Sequence, residues 1–122
     1  MLNDVDVVLV HRGRDRTVMS DAGASSDVSN INIILADETG PTLPDNSVIS
    51  ANQAWIPASY ETGDTFLAPA PSSPIAEALL SGFDGANHNG TWGLYVNDDD
   101  GNFQDGSIAG GWIIQITARV RR

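Results

Sequence analysis

Clustered oxygen ligands are the chemistry most visible in this 122-residue sequence. The stretch from Asn97 to Ser107 reads NDDDGNFQDGS. Within it Asp98, Asp100, Asn102 and Asp105 can turn oxygens toward one point, while Gly101 and Gly106 let the backbone bend so that carbonyls join them. Calcium accepts about six to eight hard oxygen ligands in flexible geometry, so this mixed set suits it. The helix–loop–helix calcium pattern is not met, because Gly101 is misplaced and no Glu closes the loop. A solvated hairpin turn draws on the same residue types. A second calcium candidate is the group Asp4, Asp6 and Asp21. Alternation along a strand would put Asp4 and Asp6 on one side. If Asp6 lies inside a sheet it needs a cation, and the alternatives to a metal are an ion pair with the arginines between Arg12 and Arg16 or carboxylates exposed at a sheet edge.

Catalytic constellations are hard to assemble from what remains. His11 and His88 are the only imidazoles, and they lack the i, i+4 spacing of a zinc helix. No GxSxG elbow frames a nucleophilic serine. Asp21–Ala22–Gly23 is the nearest approach to an aspartic-protease element, and the Asp clusters sit in loops with no feature to single out a general acid. With zero cysteines there is no thiolate chemistry and no disulfide framework. The expectation is a chain that is not an enzyme. Trp92 and Trp112 lie on apolar registers and are expected in the core. Trp55 and Tyr60, in a loop-rich region, are the candidates for an exposed aromatic contact. Asn89–Gly90–Thr91 fits a glycosylation sequon, although Asn-Gly before a strand also reads as a turn.

The charge balance narrows the partners. Sixteen acids face six bases, for a formal charge of −10, and no Lys or Arg occurs between Thr17 and Ala118. Nucleic acid and anionic membranes both call for clustered cations, so neither is an expected partner. No apolar run is long enough for a membrane span, and the first residues do not form a signal peptide. Hydrophobic content of 41% is that of a globular chain, and the length is one domain's worth.

The elements that would position these groups are mostly strands. Asp4 to His11 carries a near-continuous apolar run, which suggests a strand buried on both faces, and it turns through Gly13 into a partner at Arg16 to Met19. Asn30 to Leu35 is a further strand. In Gly90 to Asn97, Trp92, Leu94 and Val96 alternate; in Gly111 to Val120, Trp112, Ile114, Ile116, Ala118 and Val120 do the same. These two are expected to pair as an antiparallel hairpin that buries its indoles together, with the acidic loop outside. Ala36 to Pro74 reads as long loops with brief strands near Trp55 and Phe66. Ser73 as cap, Pro74 at the first position, IAEALL and a terminating Gly82 predict one short helix near 74–81. The fold class expected is all-β, an antiparallel jelly-roll β-sandwich in a single domain over 1–122.

Three stretches together resemble the P domain of proprotein convertases and its bacterial relatives. DVDVVLVHRGRDRTVMSDAG (Asp4 to Gly23) is similar to the family's opening strands and turn. SYETGDTFLAPAPSSPIAEALLSGFDG (Ser59 to Gly85) resembles the long connection of the bacterial branch. NGTWGLYVNDDDGNFQDGSIAGGWIIQIT (Asn89 to Thr117) resembles the Gly-Thr-Trp strand, acidic loop and closing strand after Gly-Trp, and is the most specific of the three. Family members begin a few tens of residues earlier. The short opening is therefore read as an N-terminal truncation, the alternative being that another chain donates a strand to the exposed edge.

The resemblance implies a non-catalytic accessory module of a secreted subtilisin-like or other protease, or of a modular surface protein. It would stabilise the neighbouring domain or assist its folding, with calcium as the expected cofactor. The implied location is extracellular or cell-surface, within a larger protein whose catalytic or adhesive domain is the partner. The alternative is a calcium-dependent carbohydrate-binding or adhesion module, for which Trp55 and Tyr60 would supply the stacking surface.

Overall fold

In the computed structural model, which describes residues 1–25, 27–99 and 106–118, the organising unit is a hairpin. β1 (Val5–His11) is rich in β-branched residues, and β2 (Arg14–Ser20) runs back against it with His11 opposite Arg14. Only Arg12 and Gly13 join them, at φ 48° and 76°. Two consecutive left-handed residues give the mirror-image turn whose twist matches that of the flanking strands. Val7 faces Met19 and Val8 faces Thr17, so Val18 is an extra residue and makes a bulge.

β6 (Trp92–Asp98) pairs antiparallel with the other side of β1, from Val5 opposite Asp98 to His11 opposite Trp92. β5 (Ala58–Ser59) runs parallel to β2, completing the order β5-β2-β1-β6. β1 is therefore central, as its apolar run implied: Val8 is fully buried on one face and Leu9 on the other. A second, two-stranded parallel pair joins β3 (Ile34–Leu35) to β4 (Ala54–Trp55). The chain is all-β, but its sheet is mixed. The purely antiparallel expectation fails at β2/β5 and β3/β4, where strand pairs form by crossover connections rather than hairpins.

Three sequence expectations are corrected. Residues 74–79 form no helix: their exposure alternates as in a strand. The Ile75 carbonyl accepts from the Thr17 amide at 3.0 Å, and the Ile75 amide donates to Asp15 Oδ1 at 2.6 Å. A two-turn helix is marginal by itself, and the open edge of β2 offers the segment better partners. Helical geometry survives as a 3-10 turn at Leu80–Phe83, where the Asp37 carboxylate accepts from the Leu80 and Ser81 amides at 2.6 and 2.7 Å.

The strand expected over Asn30 to Leu35 contracts to β3, Asn30 being left-handed at φ 54°. Trp55 does lie in a brief strand, whereas Phe66 is buried without being in one. Finally, residues 111–118 form no ladder with β6; Trp112 is 43% exposed, and only Ile114 of that segment packs against the core. Alternation in a sequence assigns faces, not partners, and the partner β6 takes is the apolar β1.

The core has two neighbouring parts. Met19, Ala22, Leu43, Ile49, Trp55 and Ala58 form one; Leu9, Val18 and Phe83 form the other, with Trp92 and Leu94 at its margin. Val7 and Leu35 touch both. Trp92 stacks face to face on His11 at 3.8 Å and tilts against Phe83 at 5.3 Å. An open groove of about 2970 Å³ separates this side of β1 and β6 from segments 27–39 and 106–118. No helix of the described residues is long and apolar enough to cross a membrane.

Candidate metal centre

The opposite side of the sheet holds the chemistry. Asp6 stands between two valines of β1, shares its face with Val8, and is 1% exposed. Neither of its carboxylate oxygens has a hydrogen-bond partner. A buried, unpartnered carboxylate is costly in its charged form. Burial accordingly pushes its pKa up to about 7, with the charges of Asp64, Asp21 and Asp99 adding to the shift. The Ser20 hydroxyl opposes that shift, but its own hydrogen bonds run to Asp21 Oδ2 and Asp64 Oδ2, each at 2.9 Å. A hydroxyl carries one hydrogen and serves one acceptor at a time, so Ser20 cannot satisfy this group of acids.

Three other segments bring carboxylates to the same place. Asp99 directly follows β6 and is held because its amide donates to the Asp4 carbonyl at 3.0 Å, continuing the β1–β6 ladder. Asp64 follows β5 beyond a bend at Gly63, which sits at φ 94°. The approach is fixed by the Tyr60 amide, which donates to the Ser20 carbonyl at 3.1 Å. Asp21, at the end of β2, takes a left-handed φ of 53°, a conformation that Asp tolerates better than most side chains.

One carboxylate oxygen each from Asp6, Asp64 and Asp99 lies within 4.8 Å of the others, and the same holds for Asp21, Glu61 and Asp64. The two triads meet at Asp64. Two oxygens on opposite sides of a calcium ion stand about 5 Å apart, so the first triad spans what one such ion would bridge.

Among the described residues, the charges that act on this cluster are carboxylates. The Glu61 pKa is raised, first by its hydrogen bond with Asp21 and then by the charges of Asp21 and Asp64. That of Asp99 is raised by burial first, then by Asp21, Asp4, Asp64 and Asp98. The arginines offered as an ion-pair alternative turn elsewhere. Arg12 donates to the Asn89 carbonyl, Arg14 to the Gly82 and Asp84 carbonyls, and Arg16 to the Asp15 carbonyl.

The sequence candidates are redistributed by this arrangement. Asp6 and Asp21 do approach a common site, though they belong to different triads joined through Asp64. Asp4 does not: strand alternation stops at Val5, Asp4 closes a 3-10 turn (Leu2–Asp4), and its carboxylate pairs with the N-terminal ammonium at 3.0 Å. Asp98 ends β6 opposite Val5 and belongs to neither triad. Asp100, Asn102 and Asp105 lie outside the described residues.

Asp64, Asp99 and Glu61 were not singled out by sequence. Asp99 had a signal in the Asp98–Asp100 run; Asp64 had only its Gly-Asp turn. Trp55 is a correction too. It is 7% exposed within the core, its Nε1 donating to the Ser50 carbonyl at 3.3 Å, and so it forms no surface platform. Tyr60 is exposed, but its hydroxyl donates to the Leu43 carbonyl. His11 is buried with both ring nitrogens against carbonyls, of Thr91 at 3.0 Å and Asn87 at 2.6 Å, where it ties β1 to the turn before β6.

Compared with known proteins, the chain matches no family model, no curated protein and no solved structure.

Proposed function

We propose that this chain is a non-catalytic accessory module of a larger secreted or surface protein, and that a calcium ion bound by Asp6, Asp64 and Asp99 stabilises it. The observation that carries the reading is Asp6: a fully buried carboxylate with no hydrogen-bond partner, facing two more carboxylates and, among the described residues, no cation. An all-oxygen donor set of this kind favours hard cations over zinc or copper. Asn97, opposite Asp6 on β6, adds a further oxygen in the neighbourhood.

The order of the sequence stretches supports the P-domain reading, as does the direct pairing of the first of them with the third through β1 and β6. A jelly-roll sandwich is the architecture this reading implies. The partner would be a catalytic domain of the subtilisin type or an adhesive one. Two features suit such a partner: the open apolar groove beside β1 and β6, and the position of β6 at the edge of its sheet, where a donated strand would pair. Burial of Trp55 takes away one of the two aromatics on which the sugar-binding alternative relied, Tyr60 being still exposed.

Calorimetric titration and thermal melting in millimolar calcium or in chelator test the metal. Calcium should bind with one-site stoichiometry and raise the melting temperature, and Asp6→Asn should abolish both effects while remaining folded. Absence of any calcium response in the unaltered chain would refute the site.

A further inference from the structure

The three carboxylates differ in how firmly their backbones are held. Asp6 is inside β1, and Asp99 is fixed to the ladder by its amide bond to Asp4. Asp64 belongs to the connection from β5 to the Ile75 contact with β2. Between those two anchors, the main-chain hydrogen bonds among the described residues are internal to the connection, Phe66 to the Ser72 carbonyl and Ala70 to the Leu67 carbonyl. Its attachments to the rest of the fold run through side chains: the buried ring of Phe66, the Ser20 hydroxyl shared between Asp64 and Asp21, and the hydrogen bond of exposed Glu61 with Asp21. Glu61 to Gly63 and Leu67 to Pro69 are exposed.

We propose that the ion works as a staple: by joining Asp64 to Asp6 and Asp99 it fastens the 61–73 connection to the sheet, so that occupancy sets the protease sensitivity of that connection. The inference rests on the metal reading above and adds to it a specific consequence. With the ion absent, Asp64 faces two carboxylates whose backbones are fixed in a ladder. Repulsion is then relieved most readily by moving Asp64, since moving either of the others would break strand pairing. With the ion present, the same three groups become ligands and the connection gains a link to β1 and β6 that its main chain does not make. Local opening, rather than global unfolding, is what the ion would suppress.

The chain contains only three glutamates, Glu38, Glu61 and Glu77, so a Glu-specific endopeptidase that needs no metal reads three bonds. Glu61 lies in the connection, while Glu38 is exposed in a loop after β3 and serves as an internal control. At calcium near ten times its dissociation constant, cleavage after Glu61 should slow roughly tenfold, following the reduced open population. Cleavage after Glu38 should not change. In Asp6→Asn, the Glu61 rate should be indifferent to calcium, the Glu38 rate again reporting an intact fold. Calcium binding seen by calorimetry with the Glu61 rate unaltered, or with both sites slowed equally, would overturn the staple and leave the metal site standing. Absence of calorimetric binding would overturn both.

Discussion

The buried carboxylate makes the metal-free protein sensitive to pH in an unusual direction. In the folded chain Asp6 is pushed from its ordinary 3.8 to about 7, chiefly by burial. An acid whose folded pKa lies above its unfolded one holds its proton more tightly when folded. Its contribution to stability is therefore fully present below about pH 4 and is lost as pH rises through 7. About three pH units correspond to roughly 4 kcal/mol at most, a large part of the ~5–15 kcal/mol typical of a whole domain. Urea unfolding in chelator, at steps between pH 4 and pH 8, should show unaltered protein losing stability relative to Asp6→Asn across that interval. Taking the difference between the two proteins removes what the other acids contribute. Above pH 7 the ionised Asp6 is the form that binds a cation, and calcium at about 100 times its dissociation constant should restore roughly 2.7 kcal/mol. Parallel curves for the two proteins in chelator would refute the reasoning, since they would mean that Asp6 is solvated or already paired.

Three substitutions test the fold on which the site is built. Trp92→Ala should cost about 3 kcal/mol in urea unfolding, because it removes the stack on His11, the contact with Phe83 and the indole hydrogen bond to the His88 carbonyl at 3.1 Å. Trp112→Ala should cost under about 1 kcal/mol, its indole being 43% exposed; equal costs would restore the paired-indole hairpin. Gly40→Ala should destabilise by on the order of 3 kcal/mol, since Gly40 sits at φ 88° and a Cβ there would lie 1.9 Å from the Ala54 carbonyl oxygen. A melting temperature unchanged by that substitution would show that the chain does not pass so close to β4.

What could be read from the sequence follows from how local each signal is. The β1–β2 hairpin is written in adjacent residues: a β-branched run, a two-residue turn ending in Gly13, and a second run, all of which the fold uses. The central position of β1 followed from its lack of alternation, because a strand with apolar residues on both faces needs cover on both. Beyond hairpin range the same signals lose force. IAEALL has helix-forming residues and a cap, yet β2, about sixty residues away in the chain, offers Ile75 the Thr17 amide and the Asp15 carboxylate, and no local propensity reports that offer. The candidate site has the same character. Asp6 was legible because a carboxylate in an apolar strand is a conflict within a few residues. Its proposed co-ligands were not, since Asp64 arrives through the parallel β5 and Asp99 through the β1–β6 ladder, two long-range pairings that place them without marking them. The conflict itself is thus the useful signal. Where local pattern says core and the side chain says charge, the compensating group has to be sought across the fold, and here the charged groups found there among the described residues have the same sign as the one they would have to neutralise. A cation from solution is the simplest agent that turns that arrangement from mutual repulsion into a set of links between β1, β6 and the connection after β5.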